Sequence, residues 1–441
     1  MGQKQTFFQI LLLVAFGTMA VGGVLYLAIY DNSDGYVAGD FSVTIWGPPF
    51  KDEAVKKILG ELVKEEDNSI YANVSYVEKH PATIYSDILE SIATGNSPDI
   101  VIISSEDLLA LKNKILPISF ETLPKSSFYE QWVEGSDVFM LEDATYARPF
   151  LVDPLVMYWN RDIFTNEAIA TPPKDWDTFV AVAPRLSKII SGSELVQSAV
   201  AFGEYDNVLH AKEILSALFM QTGARIVDEN VRGFTTHIET TRNLNTDTAM
   251  SFYTSFSNPV KKVYSWNKTF DRSREAFAAD KVAMYMGFIS EEDIIANELN
   301  PNLNFGMAVL PQSNNTKTSV TFGNFYGIAV LKNGSNPRNA NTIAVNLASA
   351  AIASRVAEVA DLPPVHLDLL STIDPLDANS KVKLQSAIMS RAWLEPAPRS
   401  SVETSFKSAI NDVVAGSVTP EMGVNVLGKD IEALLKQYKK N

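Results

Sequence analysis

Between residues 42 and 103, the hydrophobic positions switch between two periods, one typical of strands and one of helices. The strand-like segments are Ser42–Trp46, Asn73–Val77 and Asp99–Ile103, the last dominated by β-branched residues. Apolar residues at three- and four-residue spacing separate them, over Val55–Val63 and Ile84–Ile92. This order of strand and helix predicts a parallel sheet with right-handed crossover connections.

The ends of these strands indicate where a ligand would bind. In open α/β sheets, ligands bind outside the carboxyl ends of the strands. Trp46 and Gly47 end the first strand, and Ser104-Ser105-Glu106 follows the third. Ser104 or Ser105 is also the expected N-cap of the next helix, just as Gly95 is the expected C-cap of the previous one. We therefore expect cleft residues at these two strand ends.

The rest of the chain has a less regular pattern. It closes with a helix that has Pro420 at its first position. The other predicted strands are Val156–Trp159, Val282–Met286, Asn304–Leu310 and Phe325–Leu331, and the other predicted helices are Trp176–Ser187, Ala211–Gln221, Arg272–Ala279 and Asn339–Ala360.

The N-terminal segment differs from the body of the chain. Phe7–Tyr30 has 24 residues and no charge, which gives roughly 36 Å as a helix, enough to span a bilayer. Lys4 precedes it and acidic residues follow it, so the positive-inside tendency predicts a cytoplasmic N-terminus and an exported body. A cleaved signal peptide is the alternative interpretation. Asp31–Gly39 reads as a short polar linker.

The composition of the chain indicates its number of domains and excludes several kinds of partner and site. The chain has 441 residues, which predicts two or three domains. Its 52 acidic and 37 basic residues give a formal charge of -15, which argues against a nucleic-acid partner. The chain contains no cysteine, so disulfides, thiolate metal sites and a cysteine-linked lipid anchor are excluded.

No motif for catalysis or cofactor binding is found. His80, His210, His237 and His366 lie far apart, without a helical metal-ligand spacing. The chain also lacks a G-x-S-x-G elbow, a G-x-x-x-x-G-K-[ST] loop and a G-x-G-x-x-G after a strand. The sequence therefore predicts no enzyme activity, no cofactor and no metal.

Five ordered regions give the chain a family resemblance. They are T-I-W-G at 44–47, I-A-T-G-N-S-P-D-I-V at 92–101, M-Y-W-N-R-D-I-F at 157–164 with P-P-K-D-W-D-T-F at 172–179, S-R-E-A-F-A-A-D-K-V-A-M at 273–284, and G-M-A-V-L-P at 306–311 with G-N-F-Y-G-I-A-V at 323–330. On these segments the chain, from about Phe41 to Lys436, resembles the extracellular solute-binding proteins of the maltose-binding-protein type.

The resemblance implies an α/β, two-lobed, periplasmic-binding-protein-like (type II) fold, with a doubly wound, mainly parallel sheet in each lobe. By analogy, lobe 1 takes residues 40–148 and 320–368, and lobe 2 takes 149–319 and 369–441. Residues 1–30 then form a membrane anchor and 31–39 a linker. The implied function is capture of a ligand between the lobes, hinge closure, and delivery to the transmembrane subunits of an ABC permease.

The same resemblance suggests which residues line the cleft. An aromatic platform under the C–H face of a sugar would come from Trp46, Phe288 or Tyr326, and a polar rim from charged residues. Residues 400–405 lack the aromatic pair of the maltose-binding type, so maltodextrin itself is not implied. The full expected set is Trp46, Gly47, Pro48, Pro49, Ser104, Ser105, Glu106, Asp153, Glu204, Tyr205, Phe288, Asn324, Tyr326 and Arg399.

The sequence leaves three other interpretations of the function or the ligand open. The chain could be a membrane-anchored sensor or adaptor with the same fold, or an extracellular glycan hydrolase, although no carboxylate pair is evident for the latter. The ligand could also be a polyamine, an amino sugar or another polar solute, because acidic cleft residues suit a cation. The expected oligomeric state is a monomer, and the expected location of the body is periplasmic or extracellular.

Overall fold

A single mixed sheet runs through the body of the protein. The computed structural model describes residues 41–50, 54–58, 72–190, 194–230, 233–238, 244–314, 319–372 and 378–438. The strand order is β2-β1-β3-β11-β4-β9-β6-β5, with β10 on β4, β12 on β11, and a separate β7-β8 hairpin. The strands are β1 Phe41–Gly47, β2 Ala72–Glu78, β3 Ile100–Ser104, β4 Arg148–Asn160, β5 Lys188–Ile190, β6 Glu194–Val200, β7 Val227–Asn230, β8 Gly233–Thr236, β9 Val282–Phe288, β10 Phe305–Ala308, β11 Thr321–Val330 and β12 Ser390–Arg391.

Helices connect and cover these strands. Residues 54–58 are also helical, and short 3₁₀ turns occur at Ser105–Asp107, Glu134–Phe139 and Ile289–Glu291. The α-helices are α1 Ile84–Thr94, α2 Leu108–Leu111, α3 Lys125–Gln131, α4 Arg161–Asn166, α5 Trp176–Leu186, α6 Ala211–Gln221, α7 Thr246–Ser255, α8 Ser273–Ala278, α9 Pro337–Leu347, α10 Ala350–Ala360, α11 Leu367–Thr372, α12 Ala378–Met389, α13 Arg399–Val414 and α14 Pro420–Leu435.

Two long strands join the halves of the molecule. The first part of β4, Arg148–Pro154, pairs with β11, and its second part, Leu155–Trp159, pairs with β9. The end of β11, Tyr326–Val330, pairs with β3. β1, β2 and β3 therefore lie on one side of this pair of strands, and β9, β6 and β5 lie on the other. The result is the expected two-lobed α/β architecture, while the assignment of chain ranges to lobes stays a prediction.

The expectation of a mainly parallel sheet in each lobe is confirmed on the β2-β1-β3 side of the long strands and is wrong on the β9-β6-β5 side, where antiparallel pairings prevail. The β2-β1-β3 group and the β6-β9 pair are parallel. The pairings of β11 with β3, of β4 with β11 and β9, and of β5 with β6 are antiparallel. The physical reason is that β4 and β11 run in opposite directions through the centre, so each lobe contains strands of both directions.

The local signals of the first lobe are confirmed. α1 ends at Gly95, whose φ of 75° is the left-handed conformation that glycine adopts without strain. β3 is buried along its whole length. The Ser104 side chain caps the next element by accepting a hydrogen bond from the Glu106 backbone N–H at 3.2 Å. That element begins as the 3₁₀ turn Ser105–Asp107 and becomes α-helical only at Leu108.

The long helix expected over Asn339–Ala360 is two helices. α9 ends at Leu347 and α10 begins at Ala350, and the two axes differ by 68°. Ser349 separates them in an extended conformation, with its hydroxyl accepting from the Ile352 backbone N–H at 3.5 Å. A serine that bonds to the backbone in this way competes with helix continuation and starts a new helix instead.

The expected membrane anchor, Phe7–Tyr30, and the linker after it lie outside the described residues, as does the end of the helix expected over Val55–Val63. Within the described ranges, no single helix combines the length and the apolarity of a membrane span. The bent pair α9 and α10 reaches that length and apolarity only when its two members are taken together.

Candidate functional site

A cavity of about 360 Å³ lies beside the junction of the two long strands. Its volume is within the ~300–1,000 Å³ that small-molecule sites occupy. The loop after β1 and the segment after α10 form one wall, and the turn after β9 forms the other. Asp153 on β4 and Tyr326 on β11 lie between these walls. The lining includes Pro48, Pro49, Phe50, Asp153, Ser290 and Tyr326.

Tyr326 is the aromatic group at the centre of this site. Its ring meets Phe50 edge-on, with centroids 5.8 Å apart. Ser104 donates to the Asn324 side-chain oxygen at 2.6 Å, and the Asn324 amide lies 3.5 Å from the Tyr326 hydroxyl. Burial, followed by the nearby charges of Asp153 and other acids, raises the pKa of Tyr326, so its hydroxyl remains protonated. Tyr326 can therefore offer both a ring and a hydrogen-bond donor.

The polar lining of the cavity is acidic. Asp153 is 5% exposed and accepts a hydrogen bond from the Ser290 backbone N–H at 3.1 Å. Burial raises the pKa of Asp153 to about 6. Asp293 and Asp361 also line the cavity, and Asp361 pairs with Lys383 at 2.6 Å. No lysine, arginine or histidine is among the described residues of the lining.

A buried ion cluster ties the turn after β3 to α6. Lys212 in the first turn of α6 is 3% exposed. Its ammonium nitrogen lies 2.8 Å from Glu106 Oε1, 2.5 Å from Glu395 Oε1 and 3.3 Å from Glu213 Oε1. Glu106 belongs to the β3 side of the sheet, whereas Lys212 and Glu395 come from the other side. This contact therefore holds the two halves together.

Arg399 completes this group, which we call the Lys212 cluster: Glu106, Lys212, Glu213, Glu395 and Arg399. The Arg399 guanidinium, at the start of α13, lies 2.9 Å from Glu106 Oε2 and 3.4 Å from Asp107 Oδ1. Glu106 therefore receives a cation at each of its two oxygens. Charge-assisted bonds of this kind are stronger than neutral ones.

The two buried glutamates of the Lys212 cluster are in different states. Burial alone would raise the pKa of Glu106, but the positive charges of Lys212 and Arg399 outweigh it and lower that pKa. Burial raises the pKa of Glu395, and Lys212 does not fully compensate because Glu106 shares its charge. Glu395 Oε2 is buried without a hydrogen-bond partner. We infer that Glu106 is the ionised member and that Glu395 readily takes up a proton.

Ser104, Ser105 and Asn324 form a seam between β3 and β11. Ser105 is fully buried, and its hydroxyl accepts from the Phe325 backbone N–H at 3.3 Å. With the Ser104–Asn324 bond, this seam fixes the position of the adjacent Tyr326. These three side chains support the site, and the cavity lining does not include them.

Trp46 and Gly47 lie at the end of β1, outside the cavity lining. Lys79 places its ammonium 4.0 Å from the centre of the Trp46 ring, so one face of the indole is already covered. Tyr76 packs closely against Gly47, since a Cβ added at Gly47 would lie 2.5 Å from the Tyr76 hydroxyl oxygen. That hydroxyl donates to the Pro48 carbonyl at 2.6 Å and fixes the course of the loop.

Glu204, Tyr205 and Phe288 also lie outside the lining. Glu204 is 4% exposed and faces Lys268 at 3.6 Å. Tyr205 is half-buried. Burial raises its pKa, the nearby charge of Glu395 raises it further, and that of Lys212 acts in the opposite direction. The Phe288 ring lies 4.7 Å from that of His210. The ligand contacts expected for these three residues stay predictions.

Sequence reasoning missed Lys212, Glu395, Phe50 and Ser290. One signal was present for Lys212. α6 is buried on nearly all sides. A helix that is apolar all round is expected inside a protein, so a lysine within it is expected to be buried as well. Glu395 lies in a proline-containing loop and has no such signal. Among the described residues, no group of His, Asp and Glu could hold a metal ion.

A family model matches most of the chain. The model described as "Bacterial extracellular solute-binding protein" matches residues 64–382, more than half of the chain. Among relatives, proteins of Brucella abortus and Brucella suis named only as binding proteins are 23% identical over 338 residues. The match covers 73% of this chain and 74% of theirs.

Solved structures share the fold at low sequence identity. The GacH receptor of Streptomyces glaucescens, determined unliganded and with acarbose, has a TM-score of 0.68 at 16% identity, covering 91% of this chain and 100% of its own. A cyclic α-maltosyl-1,6-maltose binding protein from Arthrobacter globiformis has a TM-score of 0.72 at 13% identity, covering 90% and 100%. An ABC transporter solute-binding protein from Thermotoga lettingae, bound with α-D-tagatose, has 0.65 at 15%, covering 90% and 99%.

Proposed function

Since the chain belongs to the family of bacterial extracellular solute-binding proteins, we propose that it captures a carbohydrate between its two lobes and delivers it to an ABC permease. The observation that carries this proposal is the cavity at the lobe junction, where a tyrosine ring and a buried carboxylate face the same space.

The chemistry of the cavity suits a sugar. The apolar C–H face of a pyranose packs on an aromatic ring, and its hydroxyl groups donate to carboxylates. Tyr326 and Phe50 offer the ring surface, and Asp153 and the protonated Tyr326 hydroxyl offer an acceptor and a donor. The structural relatives with acarbose and tagatose support the same ligand class.

The cellular arrangement is part of the same proposal. The charge-free segment Phe7–Tyr30 would anchor the protein in the cell membrane, with the body on the extracytoplasmic side. The protein would act as a monomer and present its closed form to the permease. Ligand binding would shift the population between open and closed lobes, because only the closed form contacts the ligand from both sides.

Thermal unfolding of the full chain in mild detergent tests the proposal. A panel of mono- and oligosaccharides should contain a class that raises the melting temperature in a concentration-dependent way. A ligand that binds only the folded state adds ~2.7 kcal/mol at a hundredfold excess over its Kd. Tyr326→Ala should weaken that ligand at least tenfold, since it removes the ring of the site.

Tyr129→Ala is the matched control, because Tyr129 is 45% exposed and does not belong to the cavity lining. It should leave the affinity unchanged. Asp153→Asn, which keeps the size of the side chain, gives a second variant if Tyr326→Ala does not fold. The absence of any saccharide effect, or full affinity in both cleft variants, would sink the carbohydrate proposal.

An amine-bearing ligand is the second candidate, and the three aspartates of the lining favour it. A carboxylate beside an aromatic ring is also a suitable environment for an ammonium group. Glucosamine against glucose, and spermidine against sodium chloride of equal ionic strength, separate the candidates. Tighter binding of the amine, lost in Asp153→Asn, would select this alternative.

A further inference from the structure

A second cavity, of about 400 Å³, lies away from the lobe junction. Its walls come from the end of α3 and the residue after it, the start of β4, the junction of α9 and α10, and the start of α11. Its lining includes the residues Trp132, Arg148 and His366, together with Ser349 and Ala350. None of these residues lines the cavity between the lobes.

Arg148 is a buried cation without a counter-ion among the residues that the structure describes. Its side chain is 9% exposed, and its Nε is buried with no hydrogen-bond partner. Burial is the one cause that lowers its pKa, with no acidic neighbour acting on it. A buried charge is costly unless a partner compensates it. The guanidinium lines the cavity, so the space beside it is where a negative partner would fit.

Residues with further hydrogen-bond donors belong to the same cavity lining. The Trp132 indole N–H is buried without a partner in a residue that is 3% exposed. α10, of 11 residues, begins at this cavity, and the Ser349 hydroxyl already accepts from one of its first N–H groups, that of Ile352. The first backbone N–H groups of a helix lack intrahelical acceptors and carry partial positive charge. Together these groups form a donor-rich pocket of the kind that binds anions.

The other titratable groups are His366, Glu130 and Asp368. His366 Nε2 bonds the Ala348 carbonyl at 2.9 Å, which leaves Nδ1 buried without a partner. Glu130 and Asp368 are exposed at the rim, and neither forms an ion pair with Arg148 in the described part of the chain. Their negative charges would repel an extended acidic chain that crosses the rim. The cavity therefore favours a small anion that fits entirely inside it.

We propose that this cavity binds a small oxyanion, a carboxylate or a phosphate, at a site separate from the cleft between the lobes. Arginine suits this role because its planar guanidinium can bond two oxygens of one anion at once. The indole N–H and the N-terminus of α10 supply the remaining donors.

Thermal unfolding and calorimetric titration of the full chain with sodium phosphate or sodium acetate test the proposal, with sodium chloride at equal ionic strength as the baseline. Phosphate, acetate or both should raise the melting temperature of the natural protein. A response to phosphate alone identifies a phosphate site, and a response to acetate identifies a carboxylate site. The general effect of such salts on protein stability is common to all variants.

Arg148→Met should abolish the anion response. Its melting temperature in chloride should equal or exceed that of the natural protein, because the variant removes a buried charge that lacks a partner. A merely structural arginine would instead destabilise the protein on removal. Trp132→Phe keeps the ring and removes one donor, so its affinity should fall about fivefold.

Arg338→Met is the matched control, since Arg338 is an exposed arginine on α9. It removes the same charge and should keep the full response. If Arg148→Met does not fold, Arg148→Lys keeps the charge without the bidentate geometry and should still weaken binding. Equal anion responses in the natural protein and the Arg148 variants, or no response to either anion, would overturn the proposal.

Discussion

Two buried cations of this protein have opposite surroundings. Lys212, 3% exposed, has three glutamates within 3.3 Å. Arg148, 9% exposed, has no acidic partner in the described part of the chain. Both residues lose the solvation that a surface charge keeps, yet only one recovers that free energy from the protein itself.

The difference shows what each cation does. The glutamates keep Lys212 charged, since their field outweighs the burial that alone would lower its pKa. Lys212 therefore contributes to the contact between the two halves of the molecule. Arg148 lines an open cavity, and its charge is uncompensated without an added partner. A buried cation with partners stabilises the fold, and one without partners points to a ligand.

The largest effect is expected from Lys212→Met. Removal of this cation leaves three glutamates of the cluster close together with Arg399 as their remaining cation, which should cost ~3–5 kcal/mol of unfolding free energy. The halves should also separate to hydrate the carboxylates. Urea unfolding measures the first effect, and the radius of gyration in X-ray scattering measures the second. Unchanged values in both experiments would contradict the role given to the cluster.

A smaller effect is expected when Arg148 is given a partner. Ser349→Asp keeps an N-cap side chain at α10 and adds a carboxylate to the Arg148 cavity, so the protein should gain about 1.5 kcal/mol. In the double variant with Arg148→Met this gain should disappear, which urea unfolding of all four proteins measures. A gain that persists without Arg148 would mean that the cation is not involved.

The pH dependence of stability should respond to Glu395→Gln. A carboxyl with a raised pKa contributes stability that is fully present below its ordinary pKa of 4.5 and is lost as the pH rises through the folded value. The natural protein should therefore lose stability relative to Glu395→Gln above pH 4.5. The difference cannot exceed ~1.4 kcal/mol per pH unit for one proton.

Urea unfolding of both proteins at intervals from pH 5 to pH 8 measures this difference. Other buried carboxyls with raised pKa values, such as Asp153 and Asp107, are common to the two proteins and cancel. Parallel stability curves would show that Glu395 keeps the same proton occupancy when folded and unfolded.

The smallest effect is expected from Lys281→Met, the exposed counterpart of Lys212→Met. Lys281 and Asp271 form an ion pair of 3.5 Å, with side chains 51% and 70% exposed. Exposed pairs of this kind are worth ~0–1 kcal/mol. Urea unfolding should detect a change within about 0.5 kcal/mol. A loss of stability as large as that of Lys212→Met would show that burial does not explain the difference between the two lysines.

Local signals predicted much of the fold. Ala211–Gln221 has the bounds expected for α6, and Pro420 begins the last helix as expected. The glycine after α1 and the serine before the 3₁₀ turn also have their expected roles. Each of these features depends on residues within one or two turns of each other, and this is the range over which a sequence pattern carries information.

Long-range pairing could not be predicted in the same way. Glu106 and Glu395 meet through Lys212, although the three residues are far apart in the chain. Their spacing gives no sign of contact, and a glutamate in a loop looks the same whether buried or exposed. The antiparallel course of β4 and β11 was missed for a related reason, because β4 is buried on both faces and so lacks the alternation of apolar and polar residues that marks many antiparallel strands.

Hydrogen–deuterium exchange with and without ligand tests the central claim most directly. The ligand is the saccharide or amine that raises the melting temperature most. The account predicts slower exchange at the loop after β1, at Ser290 after β9, and at Tyr326 on β11, which together line both walls of the cavity. Protection on one wall alone, or at none of these segments, would contradict capture between the lobes.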